Sequence, residues 1–287
     1  MNPFSSRCCQ HNHAQGWPYF TEHLVLATPD NGVATAIYAA CKATVKVGDG
    51  KEITLHEETN YPFEEGIAFT VSTDEKVAFP FYLRIPSWTQ KAEVWVNGKK
   101  VSVTPVAGKY LCINREWANG DRVELTLPMS LSMRTWQVNK NSVSVDYGPL
   151  TLSLKIAEKY VEKDSRETAI GDSKWQKGAD PQKWPTTEIY PDSPWNYSLV
   201  LDKKEPLKNF KVIRKSWPAD NYPFTVASVP LEVKAIGRPV PEWKIDETGL
   251  CGVLPEEDAV KGDKEEITLI PMGAARLRIS AFPNTKE

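Results

Sequence analysis

Apolar and polar residues alternate with a period of two along most of this chain. The runs at 67–71 and 79–85 place an apolar side chain at every second position, and turn sequences separate such runs, for example Gly-Asp-Gly at 48–50 and Asn-Gly-Asp at 119–121. A period of two is the pattern of a strand with one buried face. Short strands joined by turns, without helices between them, predict antiparallel β-sandwiches rather than a parallel α/β sheet.

The segment 93–103 contains the clearest single turn. It reads Glu-Val-Trp-Val-Asn-Gly-Lys-Lys-Val-Ser-Val, with Asn97 and Gly98 at its centre. Asn-Gly tolerates the positive φ angles of a primed two-residue turn. The pattern therefore predicts a β-hairpin with one strand on each side of this pair.

One helix is predicted near the start of the chain, over residues 16–27. Trp17, Phe20 and Leu24 recur at helical spacing and fall on one face. Pro18 suits the first turn of a helix, where its missing N–H costs nothing. The helix is expected to stop before the turn-forming residues that follow it.

The second half of the chain predicts a further β unit. Two strands are expected between residues 142 and 156. The stretch 158–196 is rich in Lys, Asp, Pro and Trp without a sustained period, so it is predicted to be a linker or a long loop that docks on another surface. Strands are then expected at 198–201, 224–226, 231–233, 267–269 and 276–280.

Length and charge narrow the class of protein. The 287 residues suggest about two domains, and 41% hydrophobic with 25% charged residues is the balance of a globular chain. The 35 basic and 37 acidic residues give a net charge of -2, which excludes a strongly basic nucleic-acid-binding protein. No apolar run approaches the ~20 residues of a membrane helix, and the N-terminus lacks the pattern of a secretory signal. We therefore expect neither a nucleic acid nor a membrane as partner.

The densest cluster of reactive side chains is Cys8, Cys9, His11 and His13. Thiolates and imidazoles are the preferred ligands of zinc, and a thiolate near a cation is a strong nucleophile. Adjacent cysteines close a chelate less readily than a Cys-x-x-Cys pair does. The pattern leaves two interpretations open: a metal or nucleophile site, or a tail whose thiols have no role.

Other candidate groups give weaker signals. Cys41, Cys112 and Cys251 stand singly among apolar neighbours and are predicted to be small buried side chains. Acidic runs such as Glu57-Glu58 are interpreted as solvated turns, so no pair of carboxylates is assigned to acid–base catalysis. The sequence contains no serine nucleophile elbow, phosphate loop or dinucleotide fingerprint.

Tryptophan is unusually frequent, with ten residues. Indole rings on strands usually fill a core or an interface between domains, whereas a ring in an irregular segment can stack on a sugar. Trp184 and Trp195 lie in the irregular stretch and are the better candidates for sugar stacking. Packing in a core or an interface is the alternative for both.

Several motifs resemble one enzyme family. Residues 7–12 read Arg-Cys-Cys-Gln-His-Asn, 77–86 read Val-Ala-Phe-Pro-Phe-Tyr-Leu-Arg-Ile-Pro, and 145–150 read Val-Asp-Tyr-Gly-Pro-Leu. Together they resemble the β-L-arabinofuranosidases of bacterial glycoside hydrolase family 127. The resemblance covers most of the chain and is most specific at the cysteine pair and at the Leu-Arg-Ile-Pro strand.

This resemblance implies an architecture in which an (α/α)6 barrel precedes β-sandwich domains. Residues 1–31 would contain the last helix of the barrel, 32–157 a first β-sandwich, and 158–287 a long loop with a second β-sandwich. The expected fold class is therefore all-β, with two antiparallel β-sandwich domains preceded by one N-terminal helix.

The resemblance also implies the chemistry of a retaining, zinc-thiolate glycosidase that acts on L-arabinofuranosides or related plant-polysaccharide sugars. Cys8 matches the nucleophile, and Cys9, together with Cys8, matches the zinc ligands. The polar stretch from Gln10 to His13 departs from the characterised arabinofuranosidases. His11 and Trp195 are the predicted substrate contacts.

The family's other zinc ligands and its acid/base Glu lie earlier in the barrel, and seven residues precede Cys8 here. We therefore expect the chain to be the C-terminal part of such an enzyme. On its own it should be inactive and hold no zinc tightly; the missing barrel is its expected partner and a carbohydrate the substrate. The alternative is a stand-alone carbohydrate-binding β-sandwich protein.

Overall fold

The computed structural model describes residues 7–164, 180, 182, 183, 185–257 and 259–287, without the side chains of residues 7–11 and 13. The described chain divides into two compact units. The first unit is His11–Ser130, and the second unit includes Leu131–Glu287.

The first unit contains most of the single α-helix and ten strands. The elements are α1 (Arg7–Glu22), β1 (Val25–Ala27), β2 (Val33–Thr35), β3 (Cys41–Val47), β4 (Lys51–Thr59), β5 (Gly66–Ser72), β6 (Val77–Arg84), β7 (Glu93–Val96), β8 (Lys99–Lys100), β9 (Tyr110–Trp117) and β10 (Arg122–Thr126).

The described part of the second unit contains ten strands and a short 3-10 helix, Met272–Ala274. The strands are β11 (Leu131–Trp136), β12 (Ser142–Tyr147), β13 (Leu150–Leu154), β14 (Glu158–Lys163), β15 (Thr186–Pro191), β16 (Tyr197–Leu201), β17 (Lys211–Arg214), β18 (Leu231–Pro239), β19 (Glu265–Pro271) and β20 (Asn284–Lys286).

The first unit is a sandwich of two sheets, with strand orders β1-β2-β6-β9 and β3-β4-β5-β10-β7-β8. Alternate residues of the strands point inward and are buried. Phe69 of one sheet meets Phe81 of the other edge to face, with ring centroids 5.4 Å apart. Trp117 is fully buried beside them, and its Nε1 donates to the carbonyl of Phe79 at 3.0 Å. Each large side chain buried in this way stabilises the fold by about 1.5–3 kcal/mol.

The second unit is built on an eight-stranded sheet with the order β11-β12-β13-β19-β18-β16-β20, and β17 pairs with β18. Its two ends meet, since Val143 of β12 and Phe282, just before β20, exchange backbone hydrogen bonds of 2.8 and 2.9 Å. The sheet therefore curls on itself. This curl gives sandwich-like layering around a core in which Phe282, Val145 and Leu199 are fully buried.

The predicted all-β fold after one N-terminal helix is confirmed. The hairpin at Asn97 and Gly98 is also present, with φ angles of 50° and 73° between β7 and β8. Most strand pairs are antiparallel as predicted, but β2 pairs with β6 and β16 with β20 in parallel. In both parallel pairs the two strands are far apart in the sequence, as a parallel connection requires.

The predicted bounds of the helix are wrong at both ends. The helix spans Arg7–Glu22, and Val25–Ala27 forms strand β1 on β2. Pro18 consequently lies inside the helix rather than in its first turn, where it has no N–H to donate to the carbonyl four residues earlier. Leu24 lies beyond the end of the helix and is buried in the core.

The stretch 158–196, predicted to be irregular, contains β14 and β15, which pair over six residues. The side chains of both strands are at least partly exposed, so the hairpin carries no period of buried apolar residues. Conversely, the segments 224–226 and 276–280 were predicted to be strands and form none. Their apolar residues pack as turns and loops.

The strands at 142–154 belong to the second unit, whereas the predicted domains place residues 32–157 together. Strand β13 pairs with β19, so Leu152 lies opposite Pro271 and Leu154 opposite Leu269. This pairing joins residues more than a hundred positions apart, and a pattern read along the chain does not reveal it.

A close backbone approach in the first unit can be tested at Gly32. A Cβ atom at this position would lie 2.2 Å from the carbonyl oxygen of Pro80. We expect Gly32→Ala to lower the free energy of unfolding by about 1–3 kcal/mol, because the oxygen belongs to a strand that cannot move aside freely. Urea denaturation measures the change. Gly66→Ala is the matched control, since a Cβ there meets no heavy atom within 4 Å; equal stability of both variants would contradict the close approach.

Candidate functional site

The predicted cysteine cluster lies at the start of α1. The helix begins at Arg7, so Cys8 and Cys9 fall in its first turn and His11 in the next. The side chains of all three lie outside the described residues, as does Trp184. The predicted roles of Cys8 as nucleophile, Cys9 as zinc ligand and His11 as substrate contact therefore stay predictions.

The described side chains provide no alternative metal centre. Among them, no group of three or more His, Cys, Asp or Glu side chains could hold a metal ion. Cys41 and Cys112 are half-buried and Cys251 is exposed, so the prediction that these three thiols are buried is wrong. Cys251 lies in a small turn closed by a bridge to Ile245, where few atoms cover it.

The helix of the described chain is too short and too polar to cross a membrane.

Two motifs of the family resemblance have a structural role in the described chain. In the Leu-Arg-Ile-Pro strand, Arg84 donates from Nε to the carbonyl of Ala36 at 2.6 Å, and its own carbonyl accepts from the hydroxyl of Tyr38 at 2.6 Å. These bonds fasten the end of β6 to the loop after β2. The motif residue Arg84 thus positions backbone rather than a ligand.

The second motif, around Asp146, also connects neighbouring strands. Arg134 donates to both carboxylate oxygens of Asp146, at 2.6 and 2.9 Å, and Thr151 donates to the same carboxylate at 2.7 Å. Asp146 raises the pKa of Arg134 through these hydrogen bonds. The neighbouring Tyr147 accepts from Arg214 at 2.9 Å. The motif therefore connects four strands of the second unit, β11, β12, β13 and β17.

Trp195, the remaining predicted substrate contact, lies in the loop before β16 and is half-buried. Its ring packs edge-on against Trp243, with centroids 5.2 Å apart. Trp243 is buried, and its Nε1 donates to the carbonyl of Gly252 at 3.0 Å. Asn196 donates from Nδ2 to the carbonyls of Val240 and Trp243, which fixes the backbone beside Trp195. The ring is therefore held in one place.

A cleft of about 460 Å³ opens beside Trp195. Arg276 and Arg278 lie on its wall and are exposed, and Tyr190 of β15 also lines it. Such a wall suits a ligand with a large apolar face better than a ligand rich in hydroxyl groups. The role of Trp195 as a substrate contact stays a prediction. The aliphatic part of the wall consists of Ile156, Ile189, Ile245, Leu250, Leu277 and Ile279.

A carboxyl group that the sequence analysis placed in a solvated turn is in fact buried. Glu57 lies in β4 and is 1% exposed. The thiol of Cys41 donates to its Oε2 at 3.9 Å, and its Oε1 has no hydrogen-bond partner. Burial raises the pKa of Glu57 to about 8 and that of Cys41 to about 11. The alternation of Ile53, Leu55 and Glu57 along one strand was the signal that placed this side chain inward.

A carboxyl group with a pKa near neutrality can act as a general acid. However, the groove of about 480 Å³ beside α1 is lined by Cys41 and not by Glu57. The groove gives a ligand access to the thiol and not to the carboxyl. We therefore assign Glu57 a place in the core and no catalytic role.

Comparison with known proteins shows what most of the first unit is similar to. Residues 32–129 match the family model described as Beta-L-arabinofuranosidase, GH127 middle domain. This match covers about a third of the chain and shows what that part is similar to. It runs from just before β2 to just after β10, and it includes the aromatic core described above. The resemblance inferred from the sequence motifs is confirmed.

Solved structures extend the fold likeness over nearly the whole chain. A GH127 β-L-arabinofuranosidase from Geobacillus stearothermophilus T6 is 22% identical, with a TM-score of 0.65 over 98% of this chain and 38% of that chain. A protein described as a glycoside hydrolase is also 22% identical, with a TM-score of 0.66 over 98% of this chain and 40% of that chain.

A third solved structure, a GH127 β-arabinofuranosidase, is 22% identical, with a TM-score of 0.57 over 90% of this chain and 36% of that chain. At this identity the likeness establishes the fold. The chain spans about two fifths of the length of these solved proteins. A comparison with curated protein sequences finds no match.

The titration of Glu57 predicts how stability depends on pH. Its pKa of about 8 in the folded chain exceeds the ordinary value of 4.5. Between these values the folded chain binds more protons than the unfolded chain, so the free energy of unfolding falls as pH rises and levels off above about pH 8. We expect Glu57→Gln to remove this fall. At about pH 9 the free energy of unfolding of the variant should be higher than that of the wild type by on the order of a few kcal/mol.

Urea denaturation at about pH 5, pH 7 and pH 9 measures the effect of Glu57→Gln. Glu58→Gln is the matched control, because Glu58 is the next residue of the same strand and is exposed. Parallel pH profiles of the wild type and Glu57→Gln would show that the buried carboxyl does not titrate in this range.

Proposed function

We propose that this chain is the C-terminal β-sandwich portion of a retaining glycoside hydrolase that acts on L-arabinofuranosides or related plant-polysaccharide sugars. The observation that carries the proposal is the match of residues 32–129 to the GH127 middle domain. The fold likeness to a GH127 β-L-arabinofuranosidase supports it, because 98% of this chain aligns with 38% of that protein. The remainder of that protein is long enough to contain a separate catalytic domain.

The exposed face of α1 supports the existence of such a partner. Trp17 is 64% exposed and Phe20 38%, and the two rings lie edge to face with centroids 6.4 Å apart. They line the groove beside α1 together with residues of β3. Large apolar side chains that are exposed together mark an interaction surface. We propose that the catalytic barrel packs on this face.

In the proposed reaction the thiolate of Cys8 attacks the anomeric carbon of the sugar. A carbon–sulfur bond forms while the bond to the leaving oxygen breaks, and an acid from the barrel protonates that oxygen. Water then attacks the same carbon, the thiolate leaves, and the conjugate base of the acid accepts the proton from water. Two displacements at one carbon retain its configuration.

Zinc is the cofactor that we propose for the complete enzyme. Cys9 and Cys8 would supply two thiolates, which suit zinc but complete only part of a tetrahedral site. The described side chains contain no separate group of three or more His, Cys, Asp or Glu that could hold a metal ion. The remaining ligands would come from the barrel. When bound, zinc keeps a thiolate deprotonated and fixed in position.

We expect the 287-residue polypeptide to show no hydrolysis of aryl β-L-arabinofuranosides. General acid catalysis contributes about 10²–10⁴-fold to rates, and no residue of this chain is assigned to it. The assay compares this polypeptide with a longer one that carries the barrel, and with its Cys8→Ser variant. Activity of the shorter polypeptide that Cys8→Ser abolishes would refute the need for a barrel. A longer polypeptide inactive on all arabinosides would refute the proposed substrate class.

We expect the dialysed 287-residue polypeptide to hold far less than one zinc per chain. Two adjacent thiols supply only half of a tetrahedral site, so on their own they bind zinc weakly. The longer polypeptide should hold one zinc, which Cys9→Ala removes. Elemental analysis with thiol titration measures both. Cys251→Ala is the control, because that exposed thiol should leave the zinc content unchanged. A full zinc on the shorter polypeptide would show that its own residues complete the site.

A further inference from the structure

The outer face of the six-stranded sheet in the first unit carries an open trough of about 650 Å³. Its floor is β5, where Gly66 and Ala68 point to solvent while Ile67 and Phe69 between and beyond them are buried. A Cβ at Gly66 would meet no heavy atom within 4 Å. The near-absence of side chains along this strand leaves the centre of the sheet lower than its flanks.

The register of the sheet places larger side chains on both sides of this floor. Glu58 of β4 lies opposite Ala68, Ala68 lies opposite Glu124 of β10, and Glu124 lies opposite Trp95 of β7. Neighbouring strands are about 4.8 Å apart, so this row is roughly 14 Å long from Glu58 to Trp95. The trough can therefore take a ligand the length of a short oligosaccharide.

The polar groups of the trough contact one another. Arg122 lies 3.6 Å from the carboxylate of Glu58 and donates from Nε to Glu124 at 3.2 Å. The hairpin that carries Trp95 is tied to the next strand by Asn97. Nδ2 of Asn97 donates to the carboxylate of Asp121 at 2.7 Å, and Oδ1 of Asn97 accepts from the backbone N–H of Arg122 at 2.8 Å.

The charges of the trough restrict its ligand. The side chains of Glu58, Glu64 and Glu124 carry three negative charges and Arg122 one positive charge, so the lining has a net charge of -2. This charge repels nucleic acids, phosphates and acidic sugars. The described residues contain no group of acidic side chains that could hold a metal ion. The carboxylates here are thus not a cation site of that kind.

The lining is also too polar for a lipid or an apolar peptide. Its aliphatic members Ile67 and Leu125 point into the core and are almost fully buried. What remains exposed is the indole of Trp95, with carboxylate, guanidinium, amide and hydroxyl groups beside it. The ammonium group of Lys100 lies over one part of this ring, 6.0 Å from its centroid. An aromatic face stacks on the C–H face of a sugar ring, and paired donors and acceptors match vicinal hydroxyls.

We propose that this trough binds a neutral oligosaccharide, with a sugar ring on Trp95 and hydroxyls hydrogen-bonded to Glu58, Glu124 and Arg122. The site is separate from the chemistry proposed for Cys8 and does not depend on it. It would hold a polysaccharide chain against the first unit.

Isothermal titration of the 287-residue polypeptide tests the trough, with soluble arabinan, arabinoxylan and xylo-oligosaccharides as neutral probes. Polygalacturonate serves as the acidic probe and spermine as the cationic one. We expect at least one neutral probe to bind and polygalacturonate not to bind. Trp95→Ala should weaken that binding at least tenfold, and Gly66→Leu should do the same by filling the floor.

Trp136→Ala is the matched control, because Trp136 is another partly exposed indole, 41% exposed, in the second unit. It should leave the affinity unchanged. Thermal denaturation of each variant verifies that it folds, and Gly66→Leu tests the trough without altering a polar group. Three outcomes would overturn the proposal: no binding of any neutral probe, wild-type affinity in both Trp95→Ala and Gly66→Leu, or tight binding of spermine alone.

Discussion

Each strand of the first unit must bury one face, and the rest of that unit depends on this constraint. The inward side chains meet between two sheets, where the ring of Phe81 contacts those of Phe69 and Trp117. A slip of one residue in any pairing would turn every inward side chain toward solvent. The fixed register that results also fixes the outer face. Glu124 and Trp95 stand opposite each other because Leu125 and Val94 stand opposite each other inside.

Two buried carboxyl groups have pKa values shifted in opposite directions, because their neighbours differ. Glu232 in the second unit is 6% exposed and accepts from the ammonium groups of Lys155 and Lys215 at 2.6 and 2.5 Å. Burial opposes its ionisation, but the two lysines hold the pKa of Glu232 below its ordinary value. Glu57 has a thiol as its side-chain partner and no such cation, so burial dominates. The first carboxyl is stable when charged, and the second when neutral.

Local signals in the sequence were enough for part of the fold. Asn97 and Gly98 specify their turn by their own backbone preferences, and alternating residues reveal strands with one buried face. The hairpin at 158–191 was not predicted, because exposed strands lack that alternation. The extent of the helix was predicted wrongly, because Pro18 was placed in the first turn by its usual preference but lies well inside the helix.

The candidate sites depend on contacts that no local pattern records. The trough is formed by residues at 58, 68, 95 and 124, which strand pairing brings side by side. The cysteine pair could be recognised only through resemblance, since its proposed partners belong to another part of an enzyme. Glu57 was within reach of sequence reasoning, because its alternation with Ile53 and Leu55 continues an inward-facing row.

The approach of Gly32 to Pro80 also has a consequence for how related sequences can vary. The nearest atom to a side chain at residue 32 would be the backbone oxygen of residue 80, which every amino acid carries. Replacing Pro80 by another residue therefore removes the ring but not the obstruction. The restriction of position 32 to glycine therefore holds whichever side chain position 80 carries. Residue 32 is thus restricted by the backbone of residue 80 and not by its side chain. In an alignment of related sequences, positions 32 and 80 should therefore covary only weakly.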